Sequence, residues 1–327
     1  MEHNKPWALL SEQGVEQGFL DKVIDIMKQH FQIICCREFL QNPQLHGPKV
    51  QAMFVWSCYP AAEHCLLSLL PSLKVVANGG VGIDHLDVPF ITGRGVKVTN
   101  TPGAVSCATA DLAMGLLLAS ARKILESQQI AGDPNTIHIS QNMMGMEVTG
   151  STLGIIGMGG IGYKIAQRSK GFDMTILYHN RTRRSVDDEQ AVGASYCESL
   201  DDLLRRSDFV MLAVNLTPDT TGLISHRELS LMKPTATLVN ISRGQVVDQD
   251  ALVKALQSGT IHAAALDVTH PEPLPRDHPL FGLPNVLITP HIGTNTSGAV
   301  RGMVQAMVEN ALAAVKSLPI PNEVKLK

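Results

Sequence analysis

The chain has 327 residues, of which 44% are hydrophobic and 17% are charged, and its formal net charge is −3. This balance predicts a globular protein with an ample core, and the length favours two domains over one. A net charge so close to neutral argues against a surface built to bind nucleic acid, so any basic cluster should serve a small partner.

The cysteines and the N-terminal stretch indicate a cytoplasmic protein. The six cysteines form neither a CxxC pair nor a Cys/His set with zinc spacing, so we expect reduced thiols and no metal site. The opening "MEHNKPWALLSEQG" does not resemble a signal or transit peptide. No apolar run approaches the roughly 18 residues of a membrane span, so we expect no membrane partner.

Short apolar runs alternate with helical spacing in the first third of the chain. The runs "WALL", "FQIICC", "AMFVWS" and "LKVVAN" predict strands, and "GFLDKVIDIMKQHF" predicts a helix with Phe19, Val23, Ile26 and Met27 on one face. Short strands that are each fed by a helix or loop favour a parallel sheet.

The pattern changes after residue 100. "TPGAVSCATADLAMGLLLASARKIL" predicts a turn and then a long helix, capped at Ser106 or Thr109. Residues 126–150 lack periodicity and are predicted to form an irregular arm. From residue 152 onward, the strands "TLGIIG", "MTILYH", "FVMLAV", "ATLVNIS", "AAALDV" and "NVLITP" alternate with helical segments. This order predicts a doubly wound nucleotide-binding domain.

The stretch "LGIIGMGGIG" carries a G-x-G-x-x-G motif at Gly157, Gly159 and Gly162. The motif follows a predicted strand and opens a predicted helix, which is the context of a dinucleotide-binding site. Gly157 permits a tight turn, Gly159 lets a pyrophosphate approach the backbone, and Gly162 allows close helix packing. The alternative is a glycine-rich turn that binds nothing.

The next predicted strand ends in "ILYHNRTRR". An enzyme that uses NAD(H) places an acid about 20 residues after the first glycine, where it bonds the ribose 2′-hydroxyl. Here the strand end offers Tyr178, His179 and Asn180, followed by Arg181. Because arginine suits a phosphate, we predict NADP(H) in preference to NAD(H), with Arg181 as the main contact and Arg183 as the second. A solvated basic loop is the alternative.

Four ionisable residues lie at or just beyond the ends of later predicted strands: Arg243, Asp267, Glu272 and His291. Reduction of a carbonyl requires a proton donor, which a histidine supplies near neutral pH, and a neighbouring carboxylate would favour the protonated ring. An arginine binds a carboxylate in bidentate fashion. Spacing alone does not show that these residues converge.

Several motifs together resemble the D-isomer-specific 2-hydroxyacid dehydrogenase family, nearest to its glyoxylate reductase/hydroxypyruvate reductase branch. They are "NGGVGIDHLD", "TPGAVSCATADLAMGLLL", "GIIGMGGIG", "NISRG", "LDVTHPEP" and "TPHIG". The resemblance covers nearly all of the chain from Ala77 onward. It implies an α/β fold of two doubly wound parallel-sheet domains with a cleft between them. The substrate domain, which is flavodoxin-like, would comprise residues 1–100 and 292–327. The Rossmann-type domain would comprise residues 101–291, and the protein would be a homodimer.

The resemblance also implies residue roles. His291 would be the acid/base, paired with Glu272, and Arg243 would bind the carboxylate and carbonyl oxygen of the substrate. The amides of Val81 and Gly82 would hold the same carboxylate, with His291 also contacting the substrate. The cofactor would contact Thr109, Gly157, Gly159, Gly160, Ile161, Gly162, Asn180, Arg181, Thr182, Arg183, Asn215, Ile241, Asp267 and Gly293.

Two positions depart from the family pattern. Gly160 stands where relatives often carry arginine, so cofactor binding is expected to be weaker. The arm at 128–150 lacks a tryptophan-rich segment, because the two tryptophans are Trp7 and Trp56. A site without that wall would admit longer 2-oxo acids such as 2-ketogluconate. Two other readings stay open: a nucleotide-sensing scaffold related to the C-terminal-binding-protein corepressors, and an inactive paralogue.

Overall fold

The chain divides into two compact units. The first comprises residues 1–105 and 294–327, and the second comprises residues 106–293. The structure is a computed structural model that describes residues 5–12, 21–140 and 143–325.

The first unit contains a five-stranded sheet in the order β2-β1-β3-β4-β5, with every pair parallel. This is the strand order of flavodoxin-like folds. The strands are β1 (Trp7–Leu10), β2 (Gln32–Cys35), β3 (Val50–Val55), β4 (Val75–Asn78) and β5 (Lys97–Thr99). The helices are α1 (Asp21–Lys28), α2 (Cys36–Gln41), α3 (Pro43–His46), α4 (His64–Ser68), α5 (Val88–Gly93) and α13 (Ser297–Val315).

Apolar side chains explain how the first unit packs. Leu9, Met53 and Val76 project from one face of the sheet into a core that α2, α4 and α5 complete. The long helix α13 packs on β3, β4 and β5. It begins where the Thr296 side chain accepts a hydrogen bond from the Ala299 amide, as an N-cap does.

The second unit contains a seven-stranded parallel sheet in the order β12-β11-β10-β9-β6-β7-β8. The strands are β6 (Thr152–Ile156), β7 (Thr175–His179), β8 (Ala194–Tyr196), β9 (Phe209–Leu212), β10 (Thr237–Asn240), β11 (Ala263–Leu266) and β12 (Val286–Ile288). The helices are α6 (Ser106–Ala121), α7 (Ile124–Gly132), α8 (Gly160–Lys170), α9 (Val186–Val192), α10 (Leu200–Arg206), α11 (His226–Leu231) and α12 (Gln249–Gln257). Strands β6 to β11 follow the Rossmann order, and the topological switch point lies between β6 and β9.

Both faces of the second sheet are covered. One core joins alternate strand residues such as Ile155 and Met211 to α6 and α8. The other joins Leu212 and Leu238 to α10, α11 and α12. Parallel sheets require such two-sided burial, and the predicted fold class of two doubly wound parallel-sheet domains is confirmed.

Several local predictions need correction. Residues 124–132 are helical, so an irregular arm was wrongly predicted for the part of it that precedes residue 133. Neither Ser106 nor Thr109 precedes α6 as a cap would, because the helix begins at Ser106 itself and Thr109 lies within it. The strand predicted through Cys36 ends at Cys35, and α2 begins at Cys36. The predictions missed β5 and β8, each of three residues. Phe19 lies outside the described residues.

Candidate functional site

The turn between β6 and α8 has the geometry of an anion site. Gly157 adopts a φ of +96°, which favours glycine, and its amide donates to the His179 carbonyl at 3.0 Å. A Cβ on Gly162 would collide with the Gly157 carbonyl, whereas the space beside Gly159 is open. Within the described residues, the amides of Gly159, Gly160, Ile161 and Gly162 donate no hydrogen bond. Four free amides at the positive end of an eleven-residue helix fit a pyrophosphate.

Gly160 lies against α6. A Cβ built on it would stand 3.1 Å from the Ser106 hydroxyl, which is closer than ordinary van der Waals contact. A Cβ at position 160 would therefore require the Ser106 hydroxyl to shift by a few tenths of an ångström. The expected weakening of cofactor binding by Gly160 stays a prediction.

The end of β7 presents polar groups beside this turn. The Oδ1 atom of Asn180 accepts a hydrogen bond of 2.6 Å from the Met158 amide, which ties the strand end to the glycine turn. Arg181 and Thr182 are exposed, and neither makes a hydrogen bond or ion pair to another described residue. Arg181 thus has its guanidinium available for a ligand.

Arg183 is held by its own chain. Its Nε and Nη2 atoms each donate to a different oxygen of Glu189, both at 2.8 Å, and Glu189 also accepts from the Tyr178 hydroxyl. The hydrogen bonds from Arg183 and then Tyr178 lower the pKa of Glu189 to about 2. Arg184 bonds the Met158 carbonyl and covers the Tyr163 ring. Of the three arginines in this stretch, Arg181 is the one without a bound partner in the described part of the chain.

Arg243 follows β10 in a turn that Asn240 organises. The Oδ1 atom of Asn240 accepts hydrogen bonds from the amide and hydroxyl of Ser242, and its Nδ2 donates to the Arg243 carbonyl at 2.9 Å. A Cβ on Gly244 would collide with the backbone of Thr269, so glycine there allows the loop to approach the segment after β11. Arg243 itself is half-buried.

Glu272 and His291 form a pair. The Nδ1 atom of His291 lies 2.9 Å from the Oε2 atom of Glu272, and Oε1 of Glu272 accepts from the Thr269 amide at 3.0 Å. Burial opposes ionisation of Glu272. Burial is outweighed by the hydrogen bond and charge of His291, by the hydrogen bond from the Thr269 amide and by the charge of Arg243. The pKa of Glu272 therefore lies below its usual value. The structure thus brings Arg243, Glu272 and His291 into one electrostatic group.

Asp267 lies deeper, at the end of β11. Its carboxylate accepts hydrogen bonds from the Thr289 hydroxyl and from the amides of Ile292 and Gly293. Burial raises the pKa of Asp267 despite these bonds. Thr109 and Asp267 both lie next to Gly293. A Cβ built on Gly293 would stand 3.1 Å from Asp267 Oδ2 and 3.3 Å from Thr109 Cγ2. The Thr109 hydroxyl is buried and bonds no other described residue, so it is available to a ligand.

In the first unit, the loop after β4 has the geometry of a second anion site. The Gly80 carbonyl accepts a hydrogen bond from the Thr101 amide. The Val81 carbonyl accepts from the Asn100 side chain, and the Gly82 carbonyl accepts from the Asn78 side chain. Within the described part of the chain, the amides of Val81 and Gly82 donate no hydrogen bond. A loop pinned by its carbonyls with two adjacent free amides suits a carboxylate.

The remaining predicted positions are placed as follows. Asn215 is exposed after β9, its carbonyl accepting from the Thr220 hydroxyl, and Ile241 is buried directly after β10. Sequence reasoning missed Asn78, Asn240 and Gln249, the last of which bonds both the amide and the carbonyl of His270. An Asn at a strand end or a Gln at a helix start is too common a local pattern to have revealed them.

The described residues offer neither a metal-binding cluster nor a membrane-spanning helix. No group of three or more His, Cys, Asp or Glu side chains there is arranged to hold a metal ion. Among the helices described, none combines the length and the apolar character required to cross a membrane.

Comparisons with known proteins relate this geometry to a family. Residues 114–293 match the model for the NAD binding domain of D-isomer specific 2-hydroxyacid dehydrogenases. A glyoxylate reductase of Thermococcus onnurineus is 47% identical over 317 residues, which is 94% of this chain and 92% of that protein. The holo form of Rhodotorula graminis D-mandelate dehydrogenase has a TM-score of 0.87 at 30% identity, with 98% of both chains covered. A third similar protein is the NADPH-dependent glyoxylate/hydroxypyruvate reductase of Sinorhizobium meliloti, solved in complex with NADP and malonate. Its structure has a TM-score of 0.84 at 30% identity, and the match covers 98% of this chain and 97% of that one.

Proposed function

The chain belongs to the D-isomer specific 2-hydroxyacid dehydrogenase family, and we propose that it reduces small 2-oxo acids such as glyoxylate and hydroxypyruvate to D-2-hydroxy acids with NADPH. The observation that carries the proposal is the pairing of His291 Nδ1 with Glu272 at 2.9 Å, with Arg243 in the same electrostatic group. Relatives with glyoxylate reductase names support the substrate class.

The proposed chemistry divides among the residues of this group. Because Glu272 occupies Nδ1 of His291, the proton for the substrate oxygen is held at Nε2. The Glu272 carboxylate stabilises the charged imidazolium until that proton is donated. The guanidinium of Arg243 offers a positive charge to the carboxylate and the carbonyl oxygen of the substrate. A reduced nicotinamide, when bound, supplies the hydride.

The residues present fit a dinucleotide. The free amides at 159–162 would hold the pyrophosphate, and the Thr109 hydroxyl and Asp267 would face the nicotinamide end. Arg181, which has no partner among the described residues, would bind the 2′-phosphate of NADP, and Asn180 carries no charge that would repel it. Arg183 already donates hydrogen bonds to both carboxylate oxygens of Glu189. We therefore assign Arg183 a smaller part in binding the 2′-phosphate.

A second copy of the chain would be the protein partner. Three apolar side chains after α7 are strongly exposed, namely Ile137 at 85%, Ile139 at 75% and Met144 at 79%. Apolar groups concentrated on one short segment mark an interaction surface. We propose a homodimer that buries this segment.

The test of the activity is NADPH oxidation by the purified protein in the presence of glyoxylate or hydroxypyruvate. The change His291→Ala should lower turnover about 10²–10⁴-fold, as loss of a general acid does. His262→Ala, which removes an exposed imidazole of the same unit, is the matched control. Near-native reduction by His291→Ala would refute the mechanism. Binding of NADPH without turnover of any 2-oxo acid would instead support a nucleotide-sensing scaffold or an inactive paralogue.

A further inference from the structure

The segment of residues 268–274, which carries Glu272, has little support from its own backbone. It belongs to no helix or strand, and two of its residues are prolines, which have no amide hydrogen to donate. Burial of Val268 and Leu274 anchors its two ends. Within the described residues, the hydrogen bonds that leave the segment go to two side chains, those of Gln249 and His291. The placement of the Glu272 carboxylate therefore depends on side chains outside the segment.

Gln249 binds the backbone of one residue of this segment at two points. Its Nε2 donates to the His270 carbonyl at 2.5 Å, and its Oε1 accepts from the His270 amide at 2.8 Å. A side-chain amide offers a donor and an acceptor side by side, so it pairs with a backbone residue as a neighbouring strand would. The two bonds together fix both the position and the orientation of the His270 backbone.

Gln249 stands on a firm base at the first position of α12. The preceding residue, Asp248, caps the helix by accepting from the Ala251 amide at 3.0 Å, and it also accepts from the Ser225 hydroxyl at 2.8 Å. The Asp248 amide donates to the Ile224 carbonyl at 2.9 Å. The helix start is thus held from two sides, and Gln249 projects from a fixed support.

The same short stretch of chain carries Arg243. The turn that follows Arg243 begins at Gly244, where a Cβ would collide with the backbone of Thr269 and His270. The turn therefore lies directly against the backbone that Gln249 binds. Residues 243–249 in this way carry the proposed substrate-binding arginine at one end and support the segment of Glu272 at the other.

The hydrogen bonds on both sides of His270 lead to Glu272. The Thr269 amide donates to Oε1 of Glu272 at 3.0 Å, and the Thr269 hydroxyl donates to the Pro271 carbonyl at 3.0 Å. The other oxygen of Glu272 lies 2.9 Å from Nδ1 of His291. Because His270 lies between Thr269 and Pro271, a shift of its backbone would move both neighbours and, with them, the Glu272 carboxylate.

We propose that Gln249 is a positioning residue for the proton donor, because its two hydrogen bonds to His270 hold the Glu272 carboxylate against His291. The inference rests on the proposed function, in which His291 donates the proton. Gln249 is neutral, and both of its side-chain hydrogen bonds in the described structure go to His270. It therefore acts through the place of the carboxylate and not through a charge of its own.

The first test is the pH dependence of glyoxylate reduction with NADPH. Gln249→Ala removes both bonds to His270, and alanine, a good helix former, should preserve α12. We expect kcat to fall about fivefold or more, with a smaller change in KM, since two hydrogen bonds are lost. The alkaline fall of kcat/KM should also move to lower pH, because a displaced carboxylate attracts the charge on the His291 ring less.

Two further variants show whether Gln249 acts through Glu272. Gln257→Ala, at the exposed last position of α12, removes the same type of side chain and should change neither kcat nor the pH profile. In a protein that already carries Glu272→Gln, adding Gln249→Ala should cause no further shift, because the charge that it positions is gone. The other charged groups that act on the pair, Arg243 on Glu272 and Asp267 on His291, are the same in all these variants. A native pH profile in Gln249→Ala, or a further shift in the double variant, would overturn the proposal.

Hydrogen exchange separates this proposal from the proposed function, because it needs no substrate. The amide of Thr269, a residue that is 8% exposed, donates to Glu272 and not to Gln249. In Gln249→Ala this amide should exchange about fivefold faster or more, because the carboxylate no longer stays beside it. Unchanged exchange at Thr269, with or without a change at His270, would overturn the proposal. If the native protein reduces no 2-oxo acid, the proposed function fails, and exchange at Thr269 still decides whether Gln249 places Glu272.

Discussion

The hydrogen bond between Glu272 and His291 should set the pH range of the reaction. The ionised carboxylate attracts a positive charge on the ring 2.9 Å away, whereas a neutral amide in its place would not. We therefore expect Glu272→Gln to move the alkaline fall of kcat/KM for glyoxylate reduction downward by roughly one pH unit or more, as removal of an adjacent opposite charge does. The measurement is kcat/KM from about pH 5 to pH 9. The same fall in both proteins would show that Glu272 does not act on His291.

Cofactor choice is also decided by single residues, at the end of β7. Asn180→Asp keeps the oxygen that accepts from the Met158 amide and adds a negative charge next to Arg181. Since that charge would repel a 2′-phosphate and bond a ribose hydroxyl, the ratio of kcat/KM for NADPH to that for NADH should fall about tenfold or more. Gln190→Glu places the same charge at an exposed position of α9 and serves as the control. An unchanged ratio in Asn180→Asp would contradict the assignment.

Among the helices and strands, α13 has the clearest structural role. Its Asn310 is fully buried, donates to the Asn100 carbonyl at 3.1 Å, and accepts from the amide and side chain of Asn322. The C-terminal segment after the helix thereby reaches β5, where Thr99 and Glu323 form an antiparallel bridge.

Asn310→Ala should destabilise the protein by about 1–3 kcal/mol, because the carbonyl of Asn100 and the amide of Asn322, both in half-buried residues, lose their partners. The measurement is chemical or thermal unfolding monitored by circular dichroism. Gln305→Ala, on the exposed side of the same helix, should change the free energy of unfolding by less than about 0.5 kcal/mol. Equal stability of the two variants would mean that the Asn310 hydrogen bonds contribute nothing net.

The elements also show how far the sequence determines the fold. Short apolar runs predicted strands such as β6, β7 and β9 correctly, because their burial on both faces leaves a continuous signal. The strands β5 (KVT) and β8 (ASY) contain no continuous apolar run, whereas β12 (VLI), which has the same length, does and was predicted. The helix α7 was missed because its polar, mixed sequence has no apolar stripe, and none of its residues is buried.

In the candidate site, too, one part could be predicted from local sequence and another part could not. The glycine turn follows from local rules, since its strand, motif and helix are adjacent in sequence. The contact of Glu272 with His291 spans 19 residues and arises from segments beyond the ends of the neighbouring strands β11 and β12. Spacing alone carried no information about that contact, and a family resemblance did.

For the whole molecule, the exposed apolar segment after α7 makes oligomeric state the decisive quantity. Side chains as exposed as Ile137 and Ile139 cost free energy in water, which association with a second copy would recover. We expect light scattering with size-exclusion chromatography to give the mass of two chains for the native protein. Ile137→Glu combined with Ile139→Glu should shift the mass towards one chain, because burying two carboxylates at an interface is strongly unfavourable.

A matched variant distinguishes this surface from any other exposed apolar group. Val186 is 57% exposed on α9, and Val186→Glu should leave the mass at two chains. A native protein that is monomeric at micromolar concentration would contradict the proposed dimer outright. Dissociation by Val186→Glu rather than by the paired change would place the interface at α9 instead. Because the residues changed lie outside the His291 group, the activity of the dissociated variant then shows whether one chain alone suffices for turnover.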